Sequence, residues 1–204
     1  MAVIFAAMLF TAGLSWKYIL PVAAMIPPAA IVAWNFLLDD DKKNRILAVI
    51  DPTLVEAADS WQQQRGLISI GNGGLWGNGV FMETGQFRYV PEVYNDFIFT
   101  YIGETVGFIG CLAVLLVLAF LCIRILSNGL RAPDDLGKYI CVGVFAMIGI
   151  QIIINIGMCL GMMPVIGVTL PFLSAGGTST GTLYLAIGVV LSVYVHSGKD
   201  RLFG

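Results

Sequence analysis

Charge is what this chain has least of. Only 12% of its 204 residues are Asp, Glu, Lys or Arg, against 58% hydrophobic, where a soluble domain carries about 25% charged residues. So few charges cannot cover the surface of a water-soluble fold of this length, which excludes the ordinary soluble classes. The charges present are also segregated. None falls between Met1 and Trp16, Tyr18 and Leu38, Thr105 and Ile123, or Tyr139 and Val195. A bilayer span takes about 20 apolar residues, so the second and third windows each hold one span and the last holds two with a connection. The first window is short for a span. It has no basic leading segment and no convincing cleavage site, which favours a span or part of one over a signal peptide. Cysteine patterning is missing too: Cys111, Cys122, Cys141 and Cys159 all sit in apolar windows without CxxC or Cys/His spacing. They read as packing residues, not disulfides or metal ligands. The net charge of −2 names no partner, and no nucleic-acid partner is expected.

What is present predicts an all-α, polytopic membrane helix bundle of about five spans. They are drawn at 1–14, 18–38, 98–124, 139–160 and 176–195. Residues 1–38 form two N-terminal spans, 39–97 one large extracytoplasmic loop, and 98–204 three C-terminal spans with short loops. Lys17, then Arg124, Arg131 and Lys138, then Lys199 and Arg201 fall on one side by alternation. Short basic loops are cytoplasmic, which places the C-terminus inside and 39–97 outside.

Two segments break the apolar periodicity. Leu67–Phe81 reads LISIGNGGLWGNGVF; its glycines permit positive-φ turns and close backbone approach. It lacks the Lys-Ser/Thr of a P-loop, so a surface-hugging or re-entrant loop is expected, not a nucleotide site. Residues 161–175, GMMPVIGVTLPFLSA, combine two prolines and two glycines with apolar residues. Irregular apolar backbone of this kind packs against protein or lines a cavity.

Three segments together carry a family resemblance. Gln62–Phe81 reads QQQRGLISIGNGGLWGNGVF, Gln86–Gly110 reads QFRYVPEVYNDFIFTYIGETVGFIG, and Gln151–Ser179 reads QIIINIGMCLGMMPVIGVTLPFLSAGGTS. In order and spacing they resemble the SEDS family of peptidoglycan glycosyltransferases (the RodA, FtsW and SpoVE group). The resemblance covers essentially the whole chain. Asn95 stands where the family usually has Thr, Thr105 where a second Glu is usual, and Ala175 where SYGG motifs carry Tyr. The family's QPDLG segment and earlier spans have no counterpart, so the resemblance implies a C-terminal half, a fragment or truncated member.

That resemblance implies lipid II polymerisation during elongation, division or sporulation. A sugar hydroxyl joins an anomeric carbon and undecaprenyl pyrophosphate departs. The family further implies a bacterial cytoplasmic membrane and a class B penicillin-binding transpeptidase as partner. The chemistry needs a base for the hydroxyl and positive charge, or a divalent metal ion, for the pyrophosphate. Asp96 matches the family's essential aspartate and is the expected base. From position alone it is a helix N-cap; the PEVYNDFIF match reverses that order. Glu104 lies two turns deeper on the same half of the helix, and an acid within a span is a functional candidate, with an interhelical hydrogen bond as the equal alternative. Glu92 and Arg88 flank Asp96, and Arg88 reads first as a solvated charge. Gln151 and Asn155, four apart, read first as polar glue between helices. Ser174, Gly176, Gly177, Thr178 and Ser179 begin the last span with small residues; the resemblance sets them at the border of the substrate cavity. Two other readings stay open: a non-catalytic membrane scaffold for a transpeptidase, and a transporter of the lipid-linked precursor.

Overall fold

A computed structural model describes residues 2–13, 16–50, 57–79 and 85–203. Among them every regular element is helical: α1 (Ala2–Thr11), α2 (Trp16–Val32), α3 (Asp40–Ile50), α4 (Ala57–Gly73), α5 (Ile98–Leu130), α6 (Asp135–Cys159) and α7 (Gly177–Phe203). A π-helical turn at Ala33–Leu37 extends α2, and a 3-10 turn at Gln86–Tyr89 precedes α5. The chain is an all-helical membrane bundle. Three helices are long and apolar enough to cross a bilayer, at Ile98–Leu130, Asp135–Cys159 and Gly177–Ser197. The first two expected spans fall on α1 and α2. They are shorter: α1 has 10 residues and α2 has 17, with Pro21, Pro27 and Pro28 inside it. Each interior proline removes one helical hydrogen bond, and the run ends at Leu37.

The segment 39–97 is not irregular throughout. The acidic run that follows α2 starts α3, where Asp40 and Asp41 in the first turn favour the helix dipole. α4 then carries half of the Gly-rich motif as helix, and only its end forms turns. α6 opens on a true cap, the Asp134 carboxylate accepting from the Gly137 amide at 3.2 Å. It packs on α5, α1 and α7, while α4 lies against α5. One apolar core joins Phe87, Val93, Phe97, Phe99, Met158 and Leu170 around the start of α5; a second joins Cys122, Ile125, Cys141, Ile148 and Leu183 deeper down. The four cysteines are free and buried. Leu116, Val117, Phe120 and Ile123 on α5 stay exposed, as a surface solvated by lipid chains requires.

One break organises the upper half. At 33 residues, α5 is about 50 Å long, more than the hydrocarbon core needs. It is interrupted at Gly107, whose φ is 76° and ψ −170°. A break frees carbonyls above it and amides below it, and none can stay unpaired away from water. The turn after α4 takes them. Asn78 and Gly79 amides donate to the Glu104 and Thr105 carbonyls, both at 2.9 Å. In return the Phe108 and Ile109 amides donate to Gly74 and Leu75 carbonyls at 2.9 and 3.2 Å. Backbones meet this closely only where side chains are missing: a Cβ on Gly73 would lie 1.8 Å from the Gly103 carbonyl oxygen. The Gly-rich motif is a plug for a broken helix.

Candidate active site

Asp96 stands at the junction of two loops, just before α5. Its own loop turns back at Glu92, a non-glycine residue with φ 53°. Such a residue costs on the order of 1–3 kcal/mol and is kept only where the surroundings impose it. Here the Glu92 carbonyl accepts from the Asn95 and Asp96 amides at 3.0 Å and the Phe97 amide at 3.3 Å. Its carboxylate accepts from Asn95 Nδ2 at 2.6 Å. The expected capping role falls away: Phe97 occupies the N-cap position, and no side chain caps the helix. The Asp96 carboxyl is left for other work.

The second loop is the 161–175 connection, and its backbone is satisfied piece by piece. Asn155 of α6 donates to the Val168 carbonyl at 2.6 Å and to the Asp96 carbonyl at 2.7 Å. The Ser174 hydroxyl accepts from the Leu170 amide at 2.8 Å and donates to the Asn95 carbonyl at 2.6 Å. The Ala175 amide reaches the Tyr94 carbonyl at 2.9 Å. From α4, Gln63 Nε2 donates to the Met158 and Met163 carbonyls, and from α3 Arg45 reaches the Val165 carbonyl at 3.1 Å. Among the described residues Phe172, with φ 66°, is the other strained non-glycine residue. Both strained positions thus lie on the two loops that meet at Asp96. Partial burial, and then the charge of Glu92, push the Asp96 carboxyl above the ordinary carboxylate range.

The remaining expected residues divide. Ser174 belongs to the junction. Glu92 acts on Asp96 through charge. Gly177 opens α7, the Gly176 carbonyl accepts from the Thr180 amide, and Ser179 pairs its hydroxyl with Thr169 at 2.9 Å. Thr178 and Ser179, with Gln151 and Val168, line a cavity of about 670 Å³ between α1, α6 and α7. Arg88 is exposed at the end of its 3-10 turn. Glu104 is fully buried, and its carboxylate accepts from the Ser69 hydroxyl and from the Gln86 and Phe87 amides, the latter two at 2.7 Å. It latches α4 and the 3-10 turn onto α5 and offers nothing to a ligand. Among the described residues no three His, Cys, Asp or Glu side chains cluster as a metal-ligand set.

Residues 1–199 match the model of a family described as cell cycle protein, FtsW/RodA/SpoVE. This chain belongs to that family. Its relatives include stage V sporulation protein E of Bacillus subtilis, 40% identical over 75% of this chain and 42% of the relative. Another is the peptidoglycan glycosyltransferase MrdB of Escherichia coli K12, 34% identical over 92% of this chain and 51% of the relative. Among solved structures, a chain from work on polymerization and crosslinking by a peptidoglycan synthase complex superposes with a TM-score of 0.77. It is 25% identical and shares 96% of this chain and 54% of its own length. The chain thus spans about half the length of the curated family members it matches.

Sequence reasoning placed Asn155 between helices as glue; it reaches two loop carbonyls instead. Gln63 and Arg45 were missed as loop anchors. Their signal was faint, since polar residues outside the apolar windows need no special explanation.

Proposed function

We propose that this chain is the base-carrying C-terminal half of a lipid II polymerase of the bacterial cytoplasmic membrane. Its C-terminus lies in the cytoplasm and the Asp96 junction faces outward. Asp96 takes the proton from the acceptor sugar hydroxyl as the bond from the anomeric carbon to the lipid pyrophosphate breaks. One observation carries the reading: a carboxyl freed from helix capping, raised above its ordinary pKa, and held at the meeting of two strained loops. A general base works best when its pKa approaches the working pH, and burial beside Glu92 moves Asp96 in that direction. A relative named as a peptidoglycan glycosyltransferase supports a peptidoglycan precursor as substrate. The solved synthase complex of polymerization and crosslinking supports a crosslinking partner, which we take to be a class B transpeptidase. Exposed Arg88 and a divalent metal ion are the two candidates for meeting the pyrophosphate charge.

The test is glycan synthesis from lipid II by the chain together with the N-terminal half of a relative, comparing wild type with Asp96→Asn. Loss of glycan with normal accumulation is expected. Unchanged synthesis would sink the assignment of the base. Co-purification with a transpeptidase but no glycan from wild type points to a scaffold. Lipid II flipping without polymerisation points to a transporter.

A further inference from the structure

We propose that Asn155 is the positioning residue for Asp96, fixing through its side-chain amide where the Asp96 carboxylate stands. The inference rests on Asp96 being the base. Asn155 is fully buried in α6, inside a membrane-spanning helix where a polar side chain is costly. A carboxamide NH2 has two protons, and both are used: one on the Asp96 carbonyl at 2.7 Å, the other on the Val168 carbonyl at 2.6 Å. These acceptors belong to separate loops. A single planar group therefore sets the spacing between the two strands of backbone that bracket the site.

That spacing reaches the carboxylate itself. Gly167, next to Val168, has φ 69°, and a Cβ there would lie 3.3 Å from Asp96 Oδ2. The carboxylate thus occupies the space a side chain at 167 would need, beside backbone that Asn155 holds through Val168. Cys159, one turn along α6, has its sulfur 3.8 Å from the same Asp96 carbonyl and 3.9 Å from Asn155 Oδ1. It packs the far side of the amide. Ser174 fixes the Asn95 carbonyl in parallel, one residue away from the base. No other small uncharged side chain donates two hydrogen bonds at a fixed angle, so neither Ser nor Asp replaces Asn here. Asn155 acts on the reaction only through Asp96.

Asn155→Asp and Asn155→Ser, assembled with the N-terminal half of a relative, are compared with wild type and Asp96→Asn in lipid II polymerisation across pH. The amount of folded protein is read by gel filtration in detergent. Asn155→Asp is expected to lower kcat about 100-fold, the loss that a ~1 Å misplacement brings, with KM for lipid II within a factor of about two. Its acid limb moves to higher pH, because the introduced carboxylate disfavours ionised Asp96. Asn155→Ser keeps one donor and loses less kcat, with KM and acid limb in place. Should Asn155→Asp fail to accumulate, Asn155→Ser decides: reduced kcat at unchanged KM supports positioning, and full kcat overturns it. A merely structural role would lower the yield and leave kcat per folded molecule and the pH profile at wild-type values, which also overturns it. Active Asp96→Asn would remove the base and this inference together. Inactive Asp96→Asn beside wild-type Asn155 variants removes the inference alone.

Discussion

Asp96 carries two properties that pull in opposite directions. Burial and the charge of Glu92 raise its pKa, so the native state favours the protonated carboxyl. The stability it contributes is full below the unfolded pKa and is lost as pH rises through the raised folded value. In the proposed role, the ionised form of Asp96 works against the fold and serves the chemistry. Asp96→Asn is therefore expected to keep or raise the melting temperature at neutral pH while slowing synthesis by about 10²–10⁴-fold. A clear drop in melting temperature would show that the carboxylate is structural after all. The same shift predicts a pH effect. Activity needs ionised Asp96, so the rate falls as pH drops through its raised pKa. Glu92→Gln removes the smaller of the two causes, keeps an acceptor for Asn95, and should move the acid limb of kcat to lower pH. An unmoved limb would mean that Glu92 does not act on the titrating group.

Among elements, the broken α5 and its plug hold the site in register. Gly73→Ala sets a methyl group 1.8 Å from the Gly103 carbonyl oxygen, whereas Gly71 in the same helix has nothing within 4 Å. Gly71→Ala should be neutral or stabilising by up to about 1 kcal/mol, the usual helix preference for Ala. Gly73→Ala should prevent accumulation of folded protein, as judged by yield and melting in detergent. Equal behaviour of the two variants would contradict the plug. Glu104→Gln tests the latch beside it. A carboxamide turns an NH2 toward an amide that needs an acceptor, at a cost of about 1–3 kcal/mol for the group left unpaired. A lower melting temperature is expected, and no change would mean that the 86–87 amides find other partners. These element-scale features were the least legible in the sequence. The spacing of Gly71 to Gly79 announced turns but not their partner, because the broken backbone they pair with lies some 30 residues further on. Glu104 shared a helix half with Asp96, yet the chain before Asp96 folds back along α5 and occupies the carboxylate. The N-cap reading that position alone gives Asp96 misses by one residue, because the helix takes Phe97 as its N-cap and no side chain caps it.

At the scale of the whole molecule, the charge-free windows predicted the bundle directly. Two of the four windows returned as three long apolar helices, because desolvating a charge within a span is costly and the sequence records where that cost was avoided. The start of α5 at Ile98 lies seven residues before its charge-free window, with Glu104 inside the helix. The meeting of Asn155 with two loops was not legible, since it depends on how α6 packs against α5. Asp96 was singled out through a motif, and the proposal for it draws on the structure's partial burial beside Glu92 and the lack of a capping role. The chain spans about half the length of the curated relatives it matches. The most direct measurement is the initial rate of glycan-chain growth from lipid II by the chain joined with the N-terminal half of a relative. Loss of a general base slows such a step about 10²–10⁴-fold, and Asp96→Asn should show a loss in that range at unchanged yield. A rate within about twofold of wild type, below even the low end for a lost base, would contradict the account at its centre.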